Sequence, residues 1–164
     1  RAYERQIREK IRLVIADYST GLDESSSLQI PGWILMESKK YGYDPLFLTA
    51  LIITESSFNN WAKSNRNAHG LMQLKPATAI ALASETQLQW KGTPTLYNPR
   101  KNIALGAYYL NKLVSRFGDL TLALEAYNHG PTRLSRFIRK GYLLPQRYSK
   151  KVLKNYRIIR FQPI

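Results

Sequence analysis

Glu55 and the polar stretch behind it are the residues of this chain best placed to do chemistry. Glu55 stands near the end of the apolar run "LFLTALIITES", and no other Asp or Glu occurs until Glu85. A carboxyl group at the C-terminal end of a helix faces the negative end of the helix dipole, which disfavours its ionised form. Apolar neighbours such as Leu51 and Ile52 add a desolvation penalty in the same direction. Both effects raise its pKa, as a general acid at neutral pH requires. The isolation of Glu55 suits an acid that works without a carboxylate partner. From the residues alone, a solvated glutamate at a helix end is the alternative.

Helices must position this acid. "YERQIREKIRLVIADY" places Ile7, Ile11, Val14, Ile15 and Tyr18 on one stripe at helical spacing, with charges opposite. "STGLDESSSLQ" interrupts the pattern and reads as a polar linker. Pro31 then opens a short helix. Asp44-Pro45 is a helix start, an acceptor side chain followed by proline where no donor is missed, and that helix runs to about Glu55. Pro76 opens another helix. Asn98-Pro99 starts a long one that Gly118 ends, Asp119 caps the next, and Thr132 caps "RLSRFIRK" up to Gly141. "QRYSKKVLKNYRII" makes the last helix. No alternating strand pattern occurs, so the expected class is all-α. Its division is an N-terminal helix and linker over 1–29 and a main domain over 30–164.

The 164 residues are enough for one domain with a substantial core. The 25 Lys and Arg outnumber the 11 Asp and Glu, for a net charge of +14. After Glu125 there is no acid at all, while ten Arg and Lys follow. A surface of that kind attracts polyanions: nucleic acid, anionic headgroups, or a wall polymer bearing carboxylates or phosphates. Cysteine is absent, which excludes disulfides and thiolate zinc sites. No apolar run reaches the length of a membrane span. The start at Arg1 rather than Met suggests a processed or trimmed form whose signal or anchor lies upstream.

"ESSFNNWAKSNRNAHGLMQLKPATA" resembles the E-S-x-F…A-x-S…G-L-M-Q-x-x-P-x-T-A pattern of the soluble-lytic-transglycosylase (SLT) domain, a relative of goose-type lysozyme. "YNPRKNIALGAYYL", "AYNHGPTRL" and "YSKKVLKNY" are similar to its later blocks, in the expected order, so the resemblance spans residues 30 to 156. It implies a lysozyme-like (goose-type) helical domain, here with an N-terminal helical extension. It also implies cleavage of the β-1,4 bond between N-acetylmuramic acid and N-acetylglucosamine in peptidoglycan, with 1,6-anhydromuramic acid ends and no cofactor. Glu55 matches the catalytic acid. Ordinary glycosidases use two carboxylates; one suffices if the muramoyl C6 hydroxyl is the nucleophile, because that closure is intramolecular.

The remaining assignments follow from the resemblance one residue at a time. Ser64 matches the serine that positions the reacting hydroxyl, or is a turn serine. Gly70 permits close backbone approach, and Met72 and Gln73 lie against the cleft, with core packing the alternative for Met72. Tyr127 and Asn128 match the block whose tyrosine hydroxyl lies near the acid; Tyr127 is otherwise a core residue. Tyr148 orients the cleft from the last segment. Asn67 stands where glycine is usual and can keep the left-handed turn. The E-T-R run before the last block is replaced by "LLPQR". His69 and His129, too few for a zinc site, read as surface or cleft-edge residues, so no metal is expected.

These readings make peptidoglycan strands the partner, in an extracytoplasmic, envelope-associated setting. The basic C-terminal helices are a further contact with an anionic envelope polymer or a membrane surface. Two rivals remain. A goose-type muramidase would need a water-activating carboxylate, for which Asp119 and Glu125 are the candidates by elimination. A basic helical nucleic-acid binder leaves the Glu55 block unexplained.

Overall fold

The computed structural model describes residues 1–163. Among them are α1 (Ala2–Ala16), α2 (Glu24–Tyr41), α3 (Pro45–Ser56), α4 (Pro76–Glu85), a 3₁₀ turn (Thr93–Tyr97), α5 (Pro99–Phe117), α6 (Leu120–His129), α7 (Pro131–Arg139) and α8 (Arg147–Phe161). No strand forms among the described residues, and only isolated bridges tie Lys63, His69 and Leu74 together. The all-α class follows.

Helix α3 is the centre. Its residues from Leu46 to Ile52 are all buried, as expected of a helix apolar on every side. It packs against α1, α2 and α8, while α5 packs against α2, α4 and α6. The Asp44 carboxylate accepts from the Leu46 N–H at 2.9 Å, and Pro45 occupies the first turn. The exit is more unusual. Ser57 and Phe58 both adopt positive φ, at 50° and 60°. Left-handed backbone costs a non-glycine residue about 1–2 kcal/mol. Full burial of the Phe58 ring, worth about 1.5–3 kcal/mol, offsets much of that. The chain therefore turns sharply just after Glu55.

Three sequence readings need correction. The segment read as a linker is helical from Glu24, because the Asp23 side chain accepts from the Ser26 N–H at 2.8 Å and caps α2 there. Pro31 accordingly lies inside α2 and does not open it. Ile30 and Ile34 around it are fully buried, and that packing holds the helix through a proline that costs one backbone bond. Thr132 caps nothing: α7 begins at Pro131, with Gly130 as its N-cap. The α1 stripe of Ile7, Ile11, Val14 and Ile15 is buried in the same core as α3. No described helix is long and apolar enough to cross a membrane.

Candidate active site

Glu55 occupies the last turn of α3 and lines a cleft of about 580 Å³. The opposite sides come from the 64–75 loop, Thr78 on α4, Tyr109 on α5, and the segment from Tyr127 to Arg133. Glu55 is the only carboxylate among the cleft-lining residues, whereas Arg66, Lys75 and Arg133 bring positive charge. Burial dominates its electrostatics and pushes the Glu55 carboxyl up to about 7. A hydrogen bond donated by the Tyr148 hydroxyl and the nearby Lys151 charge act in the opposite direction, without outweighing burial. At neutral pH the group is therefore poised between giving and taking a proton.

The loop facing Glu55 is held by side chains from other elements. Asn102, fully buried near the start of α5, accepts from the Met72 N–H at 2.8 Å. Its amide nitrogen donates to the His69 carbonyl at 3.0 Å and the Leu96 carbonyl at 2.9 Å. Gly70, at φ 82°, passes so close to Asn102 and Leu96 that a Cβ would overlap both. The close approach that Gly70 permits is thus to Asn102. Asn67 holds the left-handed turn, with φ 63°. The Ser56 hydroxyl donates to the Leu71 carbonyl at 2.7 Å, fastening the loop to the turn that carries Glu55.

The site residues named from the sequence divide between the cleft and its supports. Ser64, Gln73, Tyr127 and Asn128 line the cleft with Glu55. The Ser64 oxygen accepts from the Arg66 and Ala68 N–H groups at 3.2 and 3.1 Å, leaving its O–H free to donate into the cleft. Gln73 folds its amide back onto the Ala62 and Gly70 carbonyls at 3.0 and 2.9 Å. Met72 is fully buried against Gly106 and does not line the cleft, so it packs as core and offers no platform for a sugar. The Tyr127 hydroxyl donates to the Met72 carbonyl at 2.7 Å, and burial together with the neighbouring Glu55 charge pushes its pKa well up. Tyr148 reaches Glu55 from α8.

His69 is not a surface residue. Its ring is buried between the Tyr97 hydroxyl and the Asn67 side-chain oxygen, each at 2.7 Å. Burial and the Lys63 charge lower its pKa, and both ring nitrogens serve the loop. His129 does sit at the cleft edge. The site also depends on Asn102 and Ser56, which the sequence left unassigned. Glu125, a candidate for activating water, is fully buried and does not line the cleft. Buried polar type was the only available signal for Asn102, since its partners lie up to 33 residues away.

Comparison with known proteins agrees with this architecture. The family model for the transglycosylase SLT domain matches residues 32–149. A protein of Haemophilus influenzae named as a soluble lytic murein transglycosylase is 38% identical over 58% of this chain and 16% of its own length. The transglycosylase of Enterobacteria phage PRD1 is 36% identical over 82% of this chain and 46% of its own. This chain thus spans under half the length of both relatives. The crystal structure of an inactive Glu-to-Gln mutant of the lytic transglycosylase Slt from Pseudomonas aeruginosa superposes with a TM-score of 0.62. That match has 30% identity and covers 78% of this chain and 22% of that one. This chain shares its helical, lysozyme-like fold with solved structures of soluble lytic transglycosylases. The chain belongs to the transglycosylase SLT domain family.

Proposed function

We propose that this chain is a catalytic domain that cleaves the β-1,4 bond between N-acetylmuramic acid and N-acetylglucosamine in peptidoglycan, leaving 1,6-anhydromuramoyl ends. The observation that carries the reading is that, among the described residues, Glu55 is the only carboxylate lining the cleft. Neutral Glu55 gives its proton to the glycosidic oxygen as the bond from that oxygen to C1 breaks. The muramoyl C6 hydroxyl oxygen then bonds to C1, and its proton passes to the Glu55 carboxylate, which returns to its starting form. The Tyr148 hydroxyl stabilises the carboxylate between the two steps. Ser64 has a free O–H to hold a sugar oxygen in line, and Asn128, exposed at the cleft, can bind the sugar. Because the attacking group belongs to the substrate, no second carboxylate is needed.

The rival carboxylates are poorly placed to activate water. Asp119 caps α6, accepting from the Leu122 N–H at 2.8 Å, and Glu125 is fully buried. A murein-cleaving enzyme acts outside the cytoplasm, and the basic α7 and α8 would hold it on an anionic envelope polymer. Mass spectrometry of digested sacculi tests the reaction. The expected muropeptides are about 18 Da lighter than hydrolysis products, since no water is added. Glu55→Gln should lower their yield by at least roughly 10²–10⁴-fold. Reducing-end products would mean that water is activated and the enzyme is a muramidase.

A further inference from the structure

Glu125 has no part in that chemistry, yet it is one of two fully or nearly fully buried glutamates and the one adjoining the site. It sits on α6, two positions before Tyr127. One carboxylate oxygen accepts from the Ser149 N–H at 2.6 Å. Ser149 lies in the first turn of α8, where backbone N–H groups have no helical acceptor. The N-cap, Gln146, makes no side-chain cap bond, and the preceding "LLPQR" contains no acid. The start of α8 is thus capped by a carboxylate from another helix, with the charge sign that a helix N-terminus favours. Tyr148, adjacent to Ser149, donates its hydroxyl to Glu55. The second Glu125 oxygen has no hydrogen-bond partner among the described residues and faces the His129 ring at 3.5 Å, at the cleft edge.

We propose that Glu125 is a positioning residue of this active site: from α6 it fixes the first turn of α8, so that the Tyr148 hydroxyl is held on the Glu55 carboxyl. The proposal rests on the reading of Glu55 as the reacting acid. Hydrogen bonds weaken steeply with distance and angle, so a small displacement of that turn breaks the contact with Glu55. Glu55 is faced by Tyr148 and Lys151 from α8 and by Tyr127 from α6. Glu125 is faced by His129 from its own helix and by Ser149 and Tyr148 from α8. Losing the Tyr148 bond removes a contact that favours charged Glu55, so its titration should move upward.

The test compares Glu125→Met, which keeps the volume and removes the acceptors, with Glu125→Gln, which keeps one acceptor. Glu55 is titrated directly by carboxyl-carbon NMR, alone and in a Tyr148→Phe background, so this readout does not depend on glycan cleavage. Glu125→Met should raise the Glu55 midpoint by about half a unit or more. It should also lower kcat on the order of tenfold or more with KM little changed. Glu125→Gln should restore both, and in the Tyr148→Phe background Glu125→Met should add nothing. An unmoved midpoint, or an equal shift with Phe at 148, would overturn the proposal. So would a Met variant that cannot fold while the Gln variant titrates as wild type, since that assigns Glu125 to stability alone. A wild type that cleaves no glycan but shows the coupled titration would sink the proposed reaction and leave the positioning intact.

Discussion

Glu55→Gln removes the carboxyl whose charged form this fold disfavours, so its effect on stability should grow with pH. In the unfolded chain the carboxyl titrates near 4.5, and in the folded protein near 7. Below about 4.5 both states hold the proton and Glu55 adds no pH dependence. Between the two values the folded state binds the proton and the unfolded state does not, so wild-type stability falls as pH rises. Above about 7 the loss is complete. Each pH unit of that window is worth about 1.4 kcal/mol, which gives a ceiling of roughly 3 kcal/mol. Glu55 keeps partial contact with the open cleft, and solvent there brings the expected value to about 2 kcal/mol. Gln keeps an acceptor for Tyr148 and has nothing to ionise. Urea melts of both proteins at pH 4 to 8 should show the Gln variant gaining on wild type by about 2 kcal/mol across the range. That corresponds to roughly 4–8 °C in Tm for a chain of this size. Other titrating groups cancel in the difference. A gap that stays constant with pH would refute the desolvated-acid account.

Two further outcomes follow from the loop and the basic end. Asn102→Ala leaves the Met72 N–H and the His69 and Leu96 carbonyls without their partner in a buried setting. Chemical denaturation should show a loss of about 3 kcal/mol or more. Charge reversal at Lys150, Lys154 and Arg157, exposed along one stretch of α8, should weaken binding to sacculi and flatten its salt dependence, as pelleting assays would show. Turnover on short soluble glycans should be unchanged.

Features that depend on neighbouring residues were legible in the sequence. Asp44-Pro45, Asn98-Pro99 and Asp119 start their helices where their side chains predict, because a cap acts within three residues. Asp23 is the same kind of signal, hidden among serines and followed by a proline that tertiary packing tolerates. Glu55 could be read because apolar neighbours in its own helix announce its burial. Partners distant in the chain could not be. His69 is buried by Tyr97, which sits in a 3₁₀ turn without hydrophobic periodicity. Glu125 stands out in the sequence only as a spare acid for activating water, and its bond to Ser149 shows once α8 is laid beside α6.

The contact between Tyr148 and Glu55 joins residues 93 positions apart, and the later one lies in the last helix. During synthesis Glu55 leaves the ribosome long before its partner exists. At about 5–20 residues per second, that delay is several seconds or more. Over that interval the nascent chain has no α8 to pack on α3, and Glu55 has no Tyr148 hydroxyl beside it. A chain cut before α8 would remain in that condition. The bond from Tyr148 to Glu55 is therefore set late in synthesis, after α3 and the loop facing it have already been made.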